Sequence, residues 1–156
     1  MLVQTAGNKS MAQLHIEVVT QSGVIYSGDA DEVVAPGGEG QLGILPRHAP
    51  LMTTLAIGAL HIKHGNSEDT LFVGGGFMEV LRDKVTILAD DAERASDIDE
   101  AKAEEARKRA QQLLEQRVEG VDVGMLQGQI ERALGRIRVA EVHRTRRRHT
   151  ELPGQN

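Results

Sequence analysis

Three groups of residues in this chain are of the types that do chemistry: a glycine-rich string, a scatter of histidines and acids, and a set of arginines towards the C-terminal end. The first is Gly38-Glu39-Gly40-Gln41-Leu42-Gly43, which spells G-x-G-x-x-G. In a dinucleotide-binding protein that loop follows a strand and opens a helix, whose N-terminal N–H groups take the pyrophosphate. Here Pro46 and Pro50 come within seven residues of Gly43. Ile62-Lys63-His64 stands where the ribose-binding acid should lie, about twenty residues on. The glycines are therefore expected to serve turns or bulges between strands. No G-x-x-x-x-G-K-S/T phosphate loop occurs either.

The six histidines form no site by spacing. His61 and His64 are three apart in a strand-like run, so they fall on opposite faces. Neither has a carboxylate at ligand spacing, and both are expected at the surface. The acids from Asp90-Asp91 to Glu100 lack the D-x-D/N-x-D/N-G order of a calcium loop and read as the start of a helix. No G-x-S-x-G elbow is present. Without cysteine, thiol nucleophiles, disulfides and thiolate metal sites are all excluded. No catalytic residues and no metal ligands are assigned. The arginine run Arg144-Thr145-Arg146-Arg147-Arg148-His149 leaves two readings open: a solvated helix end, or a contact for an acidic protein partner. Nucleic acid is not expected, because no aromatic or glycine-rich platform lies beside the run.

These residues need elements to position them. From Leu14 the chain alternates with period two, placing Leu14, Ile16 and Val18 on one face. Similar runs recur at Val24–Tyr26, Glu32–Ala35, Gly43–Leu45, Leu51–Ile57, Ala59–His64, Thr70–Val73, Phe77–Leu81 and Lys84–Leu88. Gly, Pro, Asn or Asp separates most of them. Short strands at this density predict a β-sandwich of residues 11–90. Residues 1–10 carry no pattern and are expected to be a disordered leader. After Asp90 the texture changes. Ser96-Asp97-Ile98-Asp99-Glu100 offers an N-cap and first-turn acids. Ala103, Ala106, Ala110, Leu113 and Leu114 then repeat at helical spacing. Gly120 breaks the run, Asp122 offers a second N-cap, and Leu126, Ile130, Ala133, Leu134, Ile137 and Ala140 mark a second helix. An antiparallel hairpin over 91–148 follows, with a disordered tail at 149–156. Its alanine seam buries little apolar area, so at about 25 cal/mol per Å² it is marginal alone. That suits a conformational switch, and equally a hairpin permanently docked on the sandwich.

Bulk composition fits this. The 156 residues suffice for one ordinary domain or two small ones. With 2% aromatics and no Trp, the core must be Val, Ile, Leu, Ala and Met. No apolar run approaches the roughly 20 residues of a membrane span. Residues 11–90 carry 4 Lys/Arg against 10 Asp/Glu, whereas 132–156 carry 7 Arg against 2 Glu. Any acidic partner therefore belongs to the C-terminal end.

Taken together, the residues resemble the epsilon subunit family of bacterial-type F-type ATP synthases, from about Met11 to Arg148. The most specific stretch is Glu39-Gly40-Gln41-Leu42-Gly43-Ile44-Leu45-Pro46-Arg47-His48-Ala49-Pro50-Leu51, similar to the family's E-G-E-x-G-I-L-P-G-H-A-P-L. Gly74-Gly75-Gly76-Phe77-Met78-Glu79-Val80, Val85-Thr86-Ile87-Leu88-Ala89 and Asp97-Ile98-Asp99 add to it. The resemblance implies a sandwich of about ten strands followed by a helical hairpin. It also implies a non-catalytic rotor subunit of the central stalk, which binds the gamma subunit and the c-ring and couples proton flow to ATP synthesis. Such a subunit is a peripheral membrane protein on the cytoplasmic face of the bacterial membrane.

The resemblance further implies site residues. Glu39, Gln41 and His48 match the c-ring-facing loop, although Gln41 replaces a charged residue. Arg47 replaces the usual Gly and is expected to disfavour positive φ. An extended hairpin brakes ATP hydrolysis, bringing Arg144, Arg146, Arg147 and Arg148 to acidic segments of the alpha/beta catalytic head. No cofactor is required, but some members bind ATP as a regulatory ligand through I/L-D-x-x-R-A and two arginines. Ile98, Asp99, Lys102 and Ala103 match that motif with Lys for Arg, while Arg132, Arg136 and Glu93 match its partners. Lys cannot supply the bidentate fork of Arg, and salt bridges across the hairpin are the competing role for these charges. The rival function is a stand-alone nucleotide-responsive binding module with a switching hairpin.

Overall fold

The computed structural model describes residues 12–151. Eight strands come first: β1 (Leu14–Thr20), β2 (Gly23–Ala30), β3 (Glu32–Gly37), β4 (Gly40–Ile44), β5 (Leu51–His64), β6 (Ser67–Leu81), β7 (Lys84–Ala89) and β8 (Ala92–Arg94). A 3-10 turn at Ala95–Asp97 leads to α1 (Glu100–Glu115) and α2 (Val123–Glu151). The ladder runs β2-β1-β7-β6-β5-β3-β4, with β8 also on β6. All pairs are antiparallel except β1 with β7.

The β5–β6 hairpin turns one ladder into two layers. Its pairing runs from Leu51↔Val80 to His64↔Ser67, with no pair formed between Ala56 and Gly75. On one side of that gap β6 pairs with β7, and on the other with β8. Gly75 and Gly76 sit there with φ of 92° and 127°. A Cβ on Gly76 would lie 2.8 Å from Ala89 Cα, so backbone passes where a side chain would be. The inner faces share one core in which Leu14, Ile16, Val18, Val33, Leu60, Ile62, Leu71 and Ile87 are fully buried. The expected sandwich is present, but with eight strands. Leu51–Ile57 and Ala59–His64 fuse into β5, and Thr70–Val73 and Phe77–Leu81 fuse into β6. Gly58 lies within β5 and Gly74–Gly76 within β6 without ending either strand.

Two local expectations are corrected. Arg47 adopts a φ of 67° although it is not glycine. Its N–H donates to Asp83 Oδ1 at 2.6 Å, tying the β4–β5 loop to the β6–β7 turn and holding the left-handed conformation in place. In that turn Arg82 and Asp83 also have positive φ (49° and 62°), as a two-residue type I′ hairpin requires. The boundaries differ too. β8 carries the sheet past residue 90 to Arg94, and α2 continues to Glu151, inside the stretch expected as a tail. The expected leader, residues 1–10, lies outside the described residues, as do 152–156.

The helices start where side chains cap them. Asp99 Oδ1 accepts from the Lys102 N–H at 3.1 Å, and Asp122 Oδ1 from the Met125 N–H at 3.2 Å. At 1.5 Å per residue α1 is about 24 Å long and α2 about 43 Å. Arg144 reaches Glu100, the first residue of α1, at 2.7 Å. The last turns of α2 therefore project beyond its partner.

Candidate functional site

The candidate site is the outer face of the β5–β6 ladder and the helix that lies on it. Ile57↔Gly74, Ala59↔Phe72, His61↔Thr70 and Lys63↔Glu68 are cross-strand pairs. Alternation points them away from the core that Leu60 and Ile62 enter. Six residues of strand from Gly74 to Glu68 cover about 20 Å. Fourteen residues of helix from Arg132 to Arg146 cover about 21 Å. The two match, so α2 touches the ladder along its length: Arg132 beside Gly74, Gly135 on Ile57 and Phe72, Val139 packed with Phe72, and Arg146 at Glu68.

The closest approach is at Gly135, where a Cβ would lie 2.7 Å from Ile57 Cγ2. Phe72 is fully buried beneath it, in a small cluster with Ala95, Val139, Ile57, Ala59 and Ile98. The residues expected on α2 described only its α1-facing stripe. Leu126, Ala133 and Ala140 are buried, but Leu134 is exposed, and Gly135 and Val139 form a second stripe towards the sheet. Periodicity missed this stripe because half of it is a glycine and the stems of Arg132 and Arg136.

Arg136 is the charged anchor. It forms an ion pair with Asp91 and a second contact with Glu93 Oε2 at 3.3 Å, and its guanidinium lies 4.7 Å from the centre of the Phe72 ring. Burial lowers the Arg136 pKa and, with Asp97 nearby, raises that of Glu93. Desolvation thus opposes both charges, and the ion contacts and the ring face offset it.

The residues expected to bind ATP are gathered in part. A cleft of about 310 Å³ between the helices is lined by Ala103, Ala110, Arg109, Gln129, Arg132 and Arg136. Lys102 lies close enough to influence Glu93. Ile98 packs against the Phe72–Ala95–Val139 cluster rather than lining the cleft, and Asp99 is occupied as the helix cap. Arg132 and Arg109 make no ion pair among the described residues.

At the far end of the contact, Arg146 Nη1 donates to Glu68 Oε1 at 2.7 Å. His61 Nδ1 lies 2.6 Å from the same oxygen and 3.3 Å from both Thr70 Oγ1 and Arg146 Nη1. One nitrogen cannot donate to Glu68 and accept from Arg146 at once. The shorter contact decides: Nδ1–H donates to Glu68, and Arg146 is held by the carboxylate. His61 is only 5% exposed, against the expectation of a surface residue. Alternation does turn it outward, but α2 covers it.

Of the remaining arginines, Arg144 pairs with Glu100, Arg147 with Glu151, and Arg148 with nothing among the described residues. Glu39 is exposed in the β3–β4 turn, tied down by the Gly38 N–H on Thr54 O at 3.1 Å. Gln41 is exposed on β4 and borders the cleft beside Arg146, while His48 Nδ1 lies 2.7 Å from Ala49 O in the β4–β5 loop. No hydrogen bond or ion pair joins these three among the described residues. Sequence reasoning also missed an apolar strip on the other layer. Met52 (71% exposed), Phe77 (56%) and Leu88 (57%) share one face across β5, β6 and β7, through the pairs Thr54↔Phe77 and Phe77↔Leu88. Their outward positions in the alternation were the available signal.

Among the described residues no helix is long and apolar enough to cross a membrane, and no cluster of His, Asp or Glu is arranged to hold a metal. Residues 13–95 match the family model of the ATP synthase delta/epsilon chain β-sandwich domain, and residues 96–141 that of its long α-helix domain. The ATP synthase epsilon chain of Dehalococcoides mccartyi (strain CBDB1) is 46% identical over 143 residues, spanning 91% of this chain and 100% of that protein. That of Chloroflexus aggregans is 44% identical over 88% of this chain and 99% of its own length. The fold resembles a chain in the cryo-EM structure of the Euglena gracilis mitochondrial ATP synthase (OSCP/F1/c-ring, rotational state 1). That match has a TM-score of 0.66 at 23% identity, over 89% of this chain and 88% of the other. The two matched domains account for the sandwich and the docked hairpin in order, and the chain belongs to the ATP synthase delta/epsilon chain family.

Proposed function

We propose that the chain is the epsilon subunit of an F-type ATP synthase, a non-catalytic part of the central rotor stalk. In this role it couples c-ring rotation to the catalytic head and brakes ATP hydrolysis with its hairpin. The observation that carries this is the seating of α2, a long helix held on an outward sheet face by a small apolar cluster and a few ion pairs. Such a contact can be exchanged for another at modest free-energy cost. Arg144 and Arg146 lie on Glu100 and Glu68 when docked, and acidic segments of the alpha/beta head replace those carboxylates when the hairpin extends. The Met52–Phe77–Leu88 strip suits burial against the gamma subunit. Glu39, Gln41 and His48 supply a polar contact for the c-ring. The subunit then sits peripherally on the cytoplasmic face of the membrane. Affinity purification of the native protein under mild detergent tests the reading. Co-purification with a long coiled-coil partner and the membrane sector is expected, and recovery only as a free monomer overturns it in favour of a stand-alone module.

The cleft between the helices supports a second, ligand-level reading: ATP as regulator, with its phosphates on Arg132 and Arg136. Asp91 and Glu93 already hold the Arg136 guanidinium and compete with a phosphate for it, so binding is weak. Calorimetric titration of the whole chain with ATP should give heat that Arg132→Ala abolishes. No heat from the intact chain removes the reading.

A further inference from the structure

Besides the Tyr26 phenol, two polar side chains are buried among the described residues, His61 at 5% and Thr70 at 7% exposure. They are cross-strand partners on the outer face, and neither belongs to the sandwich core. A buried histidine beneath a removable helix is poised differently from one in a core, because undocking returns it to water without unfolding the sheet. We propose that His61 makes the seating of α2 proton-sensitive: its imidazole is neutral while Arg146 is clamped on Glu68, and protonation favours release of the helix.

The charges facing His61 support this from every element around it. From β6 comes Glu68, which receives the His61 proton contact at 2.6 Å and the Arg146 guanidinium at 2.7 Å. From β5 comes Lys63, whose ammonium is paired at 3.2 Å with Glu32 of β3. From α2 comes Arg146 itself, with His143, Arg147, His149 and Glu151 bordering the adjoining open cleft. His64 belongs to a different cluster, with its Nε2 at 2.8 Å from the Tyr26 hydroxyl. One carboxylate therefore stands between two cations once His61 is charged, with a third cation, Lys63, nearby. Burial holds the His61 imidazole below the ordinary histidine range, Arg146 and Lys63 push the same way, and Glu68 opposes them. The open cleft gives protons access without unfolding.

The sign follows from linkage. The docked pKa lies below that of an exposed histidine, so docking is fully favoured above about pH 6.5 and loses ground as pH falls towards the docked pKa. One linked proton bounds the effect at about tenfold in the opening constant between pH 7.5 and 5.5. In an assembled rotor, acidification then releases the hairpin to its braking position. That consequence rests on the proposed function, whereas the proton-linked docking does not.

The chain lacks cysteine, so a dye pair can be placed on Ser22→Cys and Arg148→Cys of the full-length protein. Energy transfer read from pH 7.5 to 5.5 should show opening that increases several-fold with acid, and His61→Gln should flatten the dependence. Opening that occurs but does not respond to pH, or a His61→Gln chain with the wild-type slope, overturns the proton latch alone. Absence of opening at any pH, even with Arg146→Ala, overturns the mobile hairpin as well. Since His61→Gln can itself prevent docking, NMR titration of the imidazole protons supplies a second readout. His61 should titrate lower in the intact chain than in Gly135→Leu, where α2 is forced off the sheet. Equal titration in the two chains refutes the proposal.

Discussion

A single methyl group at Gly135 separates helix formation from helix docking. The Cβ of Gly135→Ala would lie 2.7 Å from Ile57 Cγ2 and 3.0 Å from Phe72 Cε2, where comfortable carbon contacts are about 3.5–4.0 Å. Neither neighbour can yield easily. Phe72 is fully buried between sheet and helix, and Ile57 is branched at Cβ with few rotamers. Relief must come from α2 rising off the ladder, an overpacking cost of about 1–3 kcal/mol. The same substitution favours the helix by about 1 kcal/mol, docked or not, and so cancels from the docking equilibrium. The net expectation is a hairpin at least as helical as before but released about 5- to 150-fold more often. Hydrogen exchange of the Thr70–Val73 and Arg136–Ala140 peptides reads release, and circular dichroism reads helicity. Gly128→Ala is the control. Its Cβ would meet only the flexible end of Arg132, at 3.3 Å from Nη1, so it should stabilise the helix without loosening it. If Gly135→Ala protects both peptides as well as the wild type does, α2 does not lie against Phe72 at this distance and the reasoning fails.

Two further expectations follow from the fold. Arg47→Gly removes a left-handed backbone penalty of about 1–2 kcal/mol, and keeps the N–H that meets Asp83. After the greater unfolded-state freedom of glycine is subtracted, a gain of up to about 1 kcal/mol should appear in thermal unfolding, and a lower Tm would contradict it. Tyr26 is the only tyrosine, so phenolate absorbance reports on it alone. Burial and then its hydrogen bond to Asp69 push its pKa up to about 12. A raised phenol contributes stability that is complete below pH 10 and is lost as pH climbs from 10 towards 12. A reversible midpoint near 10 in the folded chain would refute that environment.

Much of this was legible in the residue order, for physical reasons. Alternation at Leu14, Ile16 and Val18 places those side chains in the core, and Asp122 caps its helix, because both depend on neighbours a few residues away. The strand count was not legible. Glycine marks a bend and a break with the same letter, and only pairing across β5 and β6 tells them apart. The left-handed Arg47 depends on Asp83, thirty-six residues on in the chain. The anchor of the site was half visible. Arg136 and Glu93 were singled out only through the family resemblance, and Asp91 and the face of Phe72 join them only when α2 crosses the sheet. His61 shows the same limit from the other side. Its outward position is correct by alternation, and its burial comes from a helix more than sixty residues away. Local rules give elements, while a site built between elements needs their packing.

A reversible covalent lock decides whether this hairpin exchanges a docked state for a braking one within the rotor. Ile57→Cys with Gly135→Cys replaces the closest contact in the docked state by a thiol pair, in a chain with no other cysteine. The measurement is ATP hydrolysis by the assembled complex carrying this chain, oxidised and then reduced, with each single variant as control. Hydrolysis should be faster when the disulfide holds α2 on the sheet, and inhibition should return on reduction. Equal rates in the two redox states, with the disulfide verified, would contradict that exchange.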